Sequence, residues 1–230
     1  MTIQITENIW QFTHGGNIFL VRLNDNELML IDAGIPGSTS SIMKEIRELG
    51  FEANQVEHIL VTHADPDHAG SLHGVKNATG AKLYASKLSA PFIESAKMAD
   101  HVPFFVKFVA GLYQNMMQKP VLVDVRLEDG QVLEFGGGIR VIHIPGHTEE
   151  NFAYLWEAEN AIFLADLLDR RGGELGLMPG LITWDSDKAR ESTLKVLDLE
   201  PDVICVGHGK SLVVAESPQE IVNLRKSLTR

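Results

Sequence analysis

Four short apolar runs in this chain each end on a histidine or an aspartate: HILVTH at His63, HIPGH at His147, FLAD at Asp166 and VICVGH at His208. Runs of that length and β-branched content read as buried strands. A polar residue that recurs at the carboxyl ends of buried strands marks a sheet edge, where side chains from distant segments converge. Gly146, Gly207 and Gly209 flank these residues and let the backbone turn tightly beside them. Any fold for this chain must therefore bring several strand ends, from both halves of the sequence, to rims lined with histidine and aspartate.

The rest of the pattern says what those strands belong to. WQFTH, NIFLVRL and ELMLIDAG are short and β-rich, broken by Gly15-Gly16 and by a turn at Asp25-Asn26. A helix is expected from about Ser38 to Leu49, with Ile42, Ile46 and Leu49 on one face and Gly50 as its stop. Strand EHILVT, a helical stretch to about Ala78 and strand KLYAS follow. Residues from about 87 to 119 read as a helical insertion rich in phenylalanine and methionine, including Phe104, Phe105 and Phe108. Such a segment suits a lid, a packed helix pair or a homodimer contact. Strands return as VLVDVRL, QVLEFGG, IRVIHIPG, NFAYLWEA and AIFLAD, then a helix from about Asp187 to Leu199, strand DVICVG and a last helix after Pro218. Two blocks of strands, each followed by helices, predict an α/β architecture of two facing sheets with helices outside, in one domain over 1–230.

Composition narrows the partners. The formal net charge of −11 argues against nucleic acid and anionic membranes. With the single cysteine, Cys205, no intrachain disulfide can form, and its place in VICVG reads as core thiol. MTIQITENIW has neither a basic head nor an apolar stretch, and VPFFVKFVAGLY is too short to span a bilayer and is broken by Lys107. A cytoplasmic protein acting on a small-molecule substrate is the expectation.

Neutral imidazoles and carboxylates are the ligand set of zinc, iron or manganese. Thr62, His63, Asp67, His68, His147, Asp166 and His208, with Asp32 in LIDAG ahead of them, resemble the metallo-β-lactamase superfamily over about residues 9 to 212. The resemblance implies a four-layer αβ/βα sandwich of two mixed sheets with a dinuclear centre at one edge. It implies that His63 and His147 hold one divalent metal, that Asp67, His68 and His208 hold the other, and that Asp166 bridges them. Asp67 and Asp166 would be the catalytic carboxylates, and Asp32 would orient a ligand. A hydroxide shared by two cations is a nucleophile at neutral pH. The implied activity is metal-dependent hydrolysis of a small ester, thioester or lactone-type substrate.

The chain departs from the family pattern at one position. It reads H-x-D-x-D-H, with Asp65 where the usual motif has a second histidine. If Asp65 ligates, the shell has four imidazoles and three carboxylates, and a hydroxide-bridged dication pair is neutral instead of carrying one positive charge. Zinc remains favoured, but such a shell tolerates iron or manganese better. The competing reading is that Asp65-Pro66 is a helix N-cap with proline at the first helical position, and that the carboxylate is used on backbone amides. Flavodiiron proteins are similar in placing a carboxylate there, so a non-haem di-iron redox protein is an alternative; a non-catalytic binding protein on the same fold is another. Among the remaining residues, His14 and His143 read as surface or packed histidines, Trp184 as core in preference to a pocket lining, and Arg170-Arg171-Gly172-Gly173 as a solvated loop or a grip for an anion.

Overall fold

The computed structural model describes residues 2–97 and 118–229. Most of the expected helical insertion at 87–119, with Phe104, Phe105 and Phe108, lies outside those residues. Its described front end holds one short helix. The chain divides into two compact units, 1–127 and 128–230.

The first unit is a seven-stranded mixed sheet in sequential order. Strands β1 (Ile3–Gln4), β2 (Ile9–His14), β3 (Gly16–Arg22) and β4 (Leu28–Ile31) pair antiparallel as hairpins. Strands β5 (Val56–Val61), β6 (Lys82–Ser86) and β7 (Val125–Leu127) continue parallel to β4. Parallel neighbours need crossovers, and helix α1 (Thr39–Glu48) supplies the first, burying Ile42, Met43 and Ile46. Gly50, at φ 87°, ends α1 in a left-handed turn. The second crossover is broken into α2 (Pro66–Ala69) and α3 (Leu72–Thr79), and α4 (Ala90–Ser95) follows β6. The core lies between helices and sheet and includes Leu30, Ile46, Ile59, Leu72, Val75 and Leu83. Only the last three residues of VLVDVRL join the sheet.

The second unit is also a seven-stranded mixed sheet. It comprises β8 (Val132–Leu133), β9 (Ile139–His143), β10 (Phe152–Trp156), β11 (Ala161–Arg170), β12 (Gly176–Leu177), β13 (Val203–Gly209) and β14 (Leu212–Val213). Its one parallel pair is β11 with β13, and the ladder between them shifts register at Ala165 and again before Asp169. Helix α5 (Ser186–Leu197) starts at Asp185, whose carboxylate accepts from the amides of Asp187 and Lys188 at 2.9 and 3.0 Å. Helix α6 (Pro218–Leu228) closes the chain. Strand β10 and the first five residues of β11 are buried throughout, which is why they read as unbroken apolar runs instead of alternating ones. Among the described residues, no helix is long and apolar enough to cross a membrane.

Candidate metal centre

In the first unit the chemistry gathers where β4 and β5 end. Asp32 follows β4 and stands at φ 63°, the left-handed region that non-glycine residues rarely occupy. Its carboxylate is 2% exposed and is the hub of the cluster. Oδ1 accepts the Thr62 amide at 2.9 Å, and Oδ2 accepts the Thr62 hydroxyl at 2.8 Å. The same Oδ2 lies 2.8 Å from Nδ1 of His68. A carboxylate only accepts, so His68 Nδ1 carries the proton, and in the neutral ring Nε2 then presents a lone pair. Thr62 donates its one hydroxyl proton to Asp32, so at 3.0 Å it accepts from Nδ1 of His63. One carboxylate thus fixes both tautomers, directly for His68 and through a hydroxyl for His63, and leaves both Nε2 atoms as donors to a cation.

The two rings lie 4.4 Å apart, and each has an aspartate beside its Nε2. Asp65 Oδ2 is 3.7 Å from His63 Nε2, and Asp67 Oδ2 is 3.9 Å from His68 Nε2. Asp65 does occupy the N-cap position of α2, with Pro66 next, but its side chain makes no capping hydrogen bond. The main-chain carbonyl of Asp65 accepts from the His68 and Ala69 amides instead, at 3.0 and 2.8 Å. Capping therefore does not account for the Asp65 carboxylate. Gly16 gives the cluster room: a Cβ there would come within 2.6 Å of His68 Nε2.

In the second unit His147 follows β9, Asp166 lies in β11 and His208 lies near the end of β13. Asp166 Oδ2 is 3.6 Å from His147 Nε2 and 3.2 Å from His208 Nε2, so one oxygen faces both imidazoles. All three side chains are largely buried. The placement is made by the backbone: Ala165 sits at φ 47°, at the point where the β11–β13 register shifts, and this kink delivers Asp166. Across the ladder, Gly207 must be glycine, because a Cβ would lie 1.9 Å from Asp166 Oδ1.

These donors suit a divalent cation. Metal–ligand bonds of about 2.0–2.2 Å put neighbouring ligand atoms about 3.4 Å apart in a tetrahedral site, and the four nitrogen–oxygen separations above run from 3.2 to 3.9 Å. Each unit thus carries histidine–aspartate pairs with the donor types and spacing of metal ligands. The role of Thr62 is not visible in its own segment, because the carboxylate it serves is thirty residues earlier. The glycines at 16 and 207 are likewise explained only by what they touch.

The other polar residues find local partners. His14 Nε2 meets Glu45 at 2.7 Å, and His143 meets the Glu149 carbonyl at 2.7 Å while stacking on Phe152. Arg170 pairs through Nε and Nη2 with both oxygens of Glu220, and Arg171 pairs with Asp169, so this arginine pair is a structural clamp. Burial raises the Asp169 carboxyl, but hydrogen bonds from Arg171 outweigh it and hold the group below the usual carboxylate range. Burial pushes the Cys205 thiol well up, which fits a core cysteine. Trp184 corrects the expectation of core packing: it is 41% exposed.

The family model of the metallo-β-lactamase superfamily matches residues 13–208, a span that contains both clusters. An uncharacterized Bacillus subtilis protein, YobT, is 28% identical over 96% of this chain and 95% of its own. The probable metallo-hydrolase YflN of the same organism is 25% identical over 93% and 88%. A hydroxyacylglutathione hydrolase of Rhodopseudomonas palustris is 32% identical over 64% of this chain, which spans about half of that relative (49%). Among solved structures, a metallo-β-lactamase from Cronobacter sakazakii superposes with a TM-score of 0.74 at 21% identity, covering 100% of this chain and 95% of the other. A subclass B3 enzyme of Bradyrhizobium japonicum gives 0.71 at 21% identity over 99% and 90%. With the α/β sandwich fold, the two histidine–aspartate clusters and the family match in agreement, the chain belongs to the metallo-β-lactamase superfamily.

Proposed function

We propose that this protein hydrolyses a small thioester, ester or lactone with two divalent cations, zinc in the first instance. The ligands are His63, Asp65, Asp67 and His68 from the first unit and His147, Asp166 and His208 from the second. A thioester is the favoured member of that class, because several relatives are hydroxyacylglutathione hydrolases. The observation that carries the reading is the hydrogen-bond chain from Asp32, which leaves Nε2 of His63 and His68 proton-free at once.

Cations held there lower the pKa of a coordinated water and polarise the carbonyl that is attacked. The residues do the rest. Asp32 and Thr62 keep the imidazoles in one tautomer through the cycle. Asp166 presents one oxygen toward the imidazoles of His147 and His208 and would hold a cation together with them. Asp67, whose side chain is 33% exposed, is the carboxylate open to incoming water and takes its proton.

Asp65 supports a second reading. Freed from capping, it adds a third carboxylate, which suits iron and a redox role. Elemental analysis of the purified protein, with turnover of matched thioester, ester and lactone, separates the readings. About two zinc ions per chain and turnover abolished by a chelator are expected. Iron with an oxygen-linked redox change and no hydrolysis would establish the di-iron alternative, and absence of both metal and turnover would leave a binding protein. Asp65→His is the matching variant: metal identity or occupancy changes, while stability holds within about 0.5 kcal/mol because no cap bond is lost.

A further inference from the structure

The stretch Leu175 to Trp184, LGLMPGLITW, is ten residues without a charge in a chain that is 22% charged. Such a run belongs in a core, and Leu175 and Met178 are buried. Leu181 and Trp184 are not: they are 71% and 41% exposed, while the other tryptophans, Trp10 and Trp156, are 8% and 3% exposed. Exposed large apolar side chains gathered in one loop mark a binding surface more often than a single exposed leucine does.

The loop is built and anchored. It leaves β12, which pairs with β11 at Leu168 and Asp169, just beyond Asp166. The Thr183 hydroxyl donates back to the Pro179 carbonyl at 3.0 Å, and the Ile182 amide donates to the same carbonyl at 3.0 Å. The loop ends on the other ligand segment: the Trp184 amide donates to the His147 carbonyl at 2.9 Å, and the Asp185 amide to the Gly146 carbonyl at 3.0 Å. Asp185 then caps α5. An uncharged loop with two exposed apolar side chains is thereby tied between the strand of Asp166 and the backbone of His147.

We propose that Leu181 and Trp184 form the recognition surface for the acyl part of the substrate, and that this part is an apolar chain. The inference rests on the hydrolase reading above and adds to it the substrate class. A charged or strongly polar acyl group has no counter-charge anywhere between residues 175 and 184, whereas each methylene laid on apolar surface adds binding.

The test uses the zinc-loaded full chain and thioesters of one thiol with acetyl, butanoyl and octanoyl groups. For the parent protein kcat/KM rises about tenfold or more from acetyl to octanoyl. In the double variant Leu181→Ser, Trp184→Ala the octanoyl-to-acetyl ratio collapses toward one, and Val222→Ser, an exposed apolar residue on α6, leaves the ratio as it was. A parent that prefers acetyl, or a double variant that keeps the octanoyl preference, overturns the proposal. Absence of turnover with every thioester breaks the hydrolase reading instead, and binding then decides this one. Octanoate, but not acetate, shifts the tryptophan emission saturably, and Trp184→Ala abolishes the shift. No octanoate-dependent shift overturns the acyl surface by itself.

Discussion

The two histidine–aspartate clusters hold their donors by different means. In the first unit the donors sit on the loop after β5 and on the short helix α2, and a hydrogen-bond network anchored on Asp32 aims His63 and His68. In the second unit the shared carboxylate is part of a strand and is aimed by the backbone, through the left-handed Ala165 and the missing Cβ of Gly207. Imidazoles rotate and have two nitrogens, so they need a partner to choose one. A short aspartate side chain needs its Cα in the right place. Polar substitutions should therefore break the first cluster, and steric ones the second.

The largest effect is expected at Asp32. Asparagine tolerates φ near 63°, so Asp32→Asn keeps the backbone and removes only the charge and one acceptor. Metal affinity should fall roughly 10- to 100-fold, measured by competition with a chromophoric chelator, with loss of turnover in proportion. Asp32→Ala should add a loss of about 1–3 kcal/mol in stability, because the Thr62 hydroxyl and the His68 ring lose their buried acceptor. If Asp32→Asn binds metal like the parent, the network does not set the donors, and the contrast between the clusters fails.

Gly207→Ala comes next. Its Cβ would stand 1.9 Å from Asp166 Oδ1 and 2.8 Å from the carbonyl carbon of Ala165, and backbone cannot yield as a side chain can. Denaturation should show a cost of about 1–3 kcal/mol. Metal stoichiometry should drop while the parent and variant keep the same far-ultraviolet circular dichroism. Full metal content in a destabilised variant would show that β11 shifts as a body and carries Asp166 with it.

This difference also explains what was readable from sequence. The placement of His63 after β5, His147 after β9 and His208 near the end of β13 was legible from their short apolar runs, whereas Asp67 and His68 lie in α2 and Asp166, read as the end of a strand, lies inside β11. The helix Thr39–Glu48 was legible because Ile42 and Ile46 repeat at a turn's distance before a stop glycine. Asp65 was legible as an N-cap position but not as a side chain, since Asp-Pro fixes the backbone and leaves the carboxylate to whichever neighbour binds it best. The Thr62 bridge escaped because its acceptor comes from another strand, paired thirty residues away. Trp184 misled because apolar composition reports a wish for burial and is silent on whether a ligand or the core satisfies it. VLVDVRL read as a full strand, yet the Asp124 carboxylate, which accepts the Leu83 amide at 2.8 Å and pairs with Lys76, marks where it stops being one until Val125.

The smallest expected effect tests how firmly β11 is held beyond Asp166. Arg170, at the strand's end, is gripped by Glu220 of α6 through bonds of 2.9 and 2.7 Å, and Glu220 also accepts the Leu175 amide at 3.1 Å. The Arg170 hydrogen bonds hold the Glu220 carboxyl below the usual carboxylate range, outweighing the opposing effect of burial. A depressed carboxyl stabilises the fold above its unfolded pKa of about 4.3 and loses that contribution as pH falls through the lower folded value. Glu220→Gln should thus cost about 1–2 kcal/mol at neutral pH, and the gap between parent and variant should close as the solution is acidified below about pH 4. Both side chains are about 15% exposed, so salt should narrow the gap only slightly. Metal affinity should barely move, because the kink at Ala165 and the glycine at 207 lie on the near side of Asp166 and do not depend on the clamp. A large loss of metal in Glu220→Gln would mean that the strand's far end, and not its kink, sets the carboxylate.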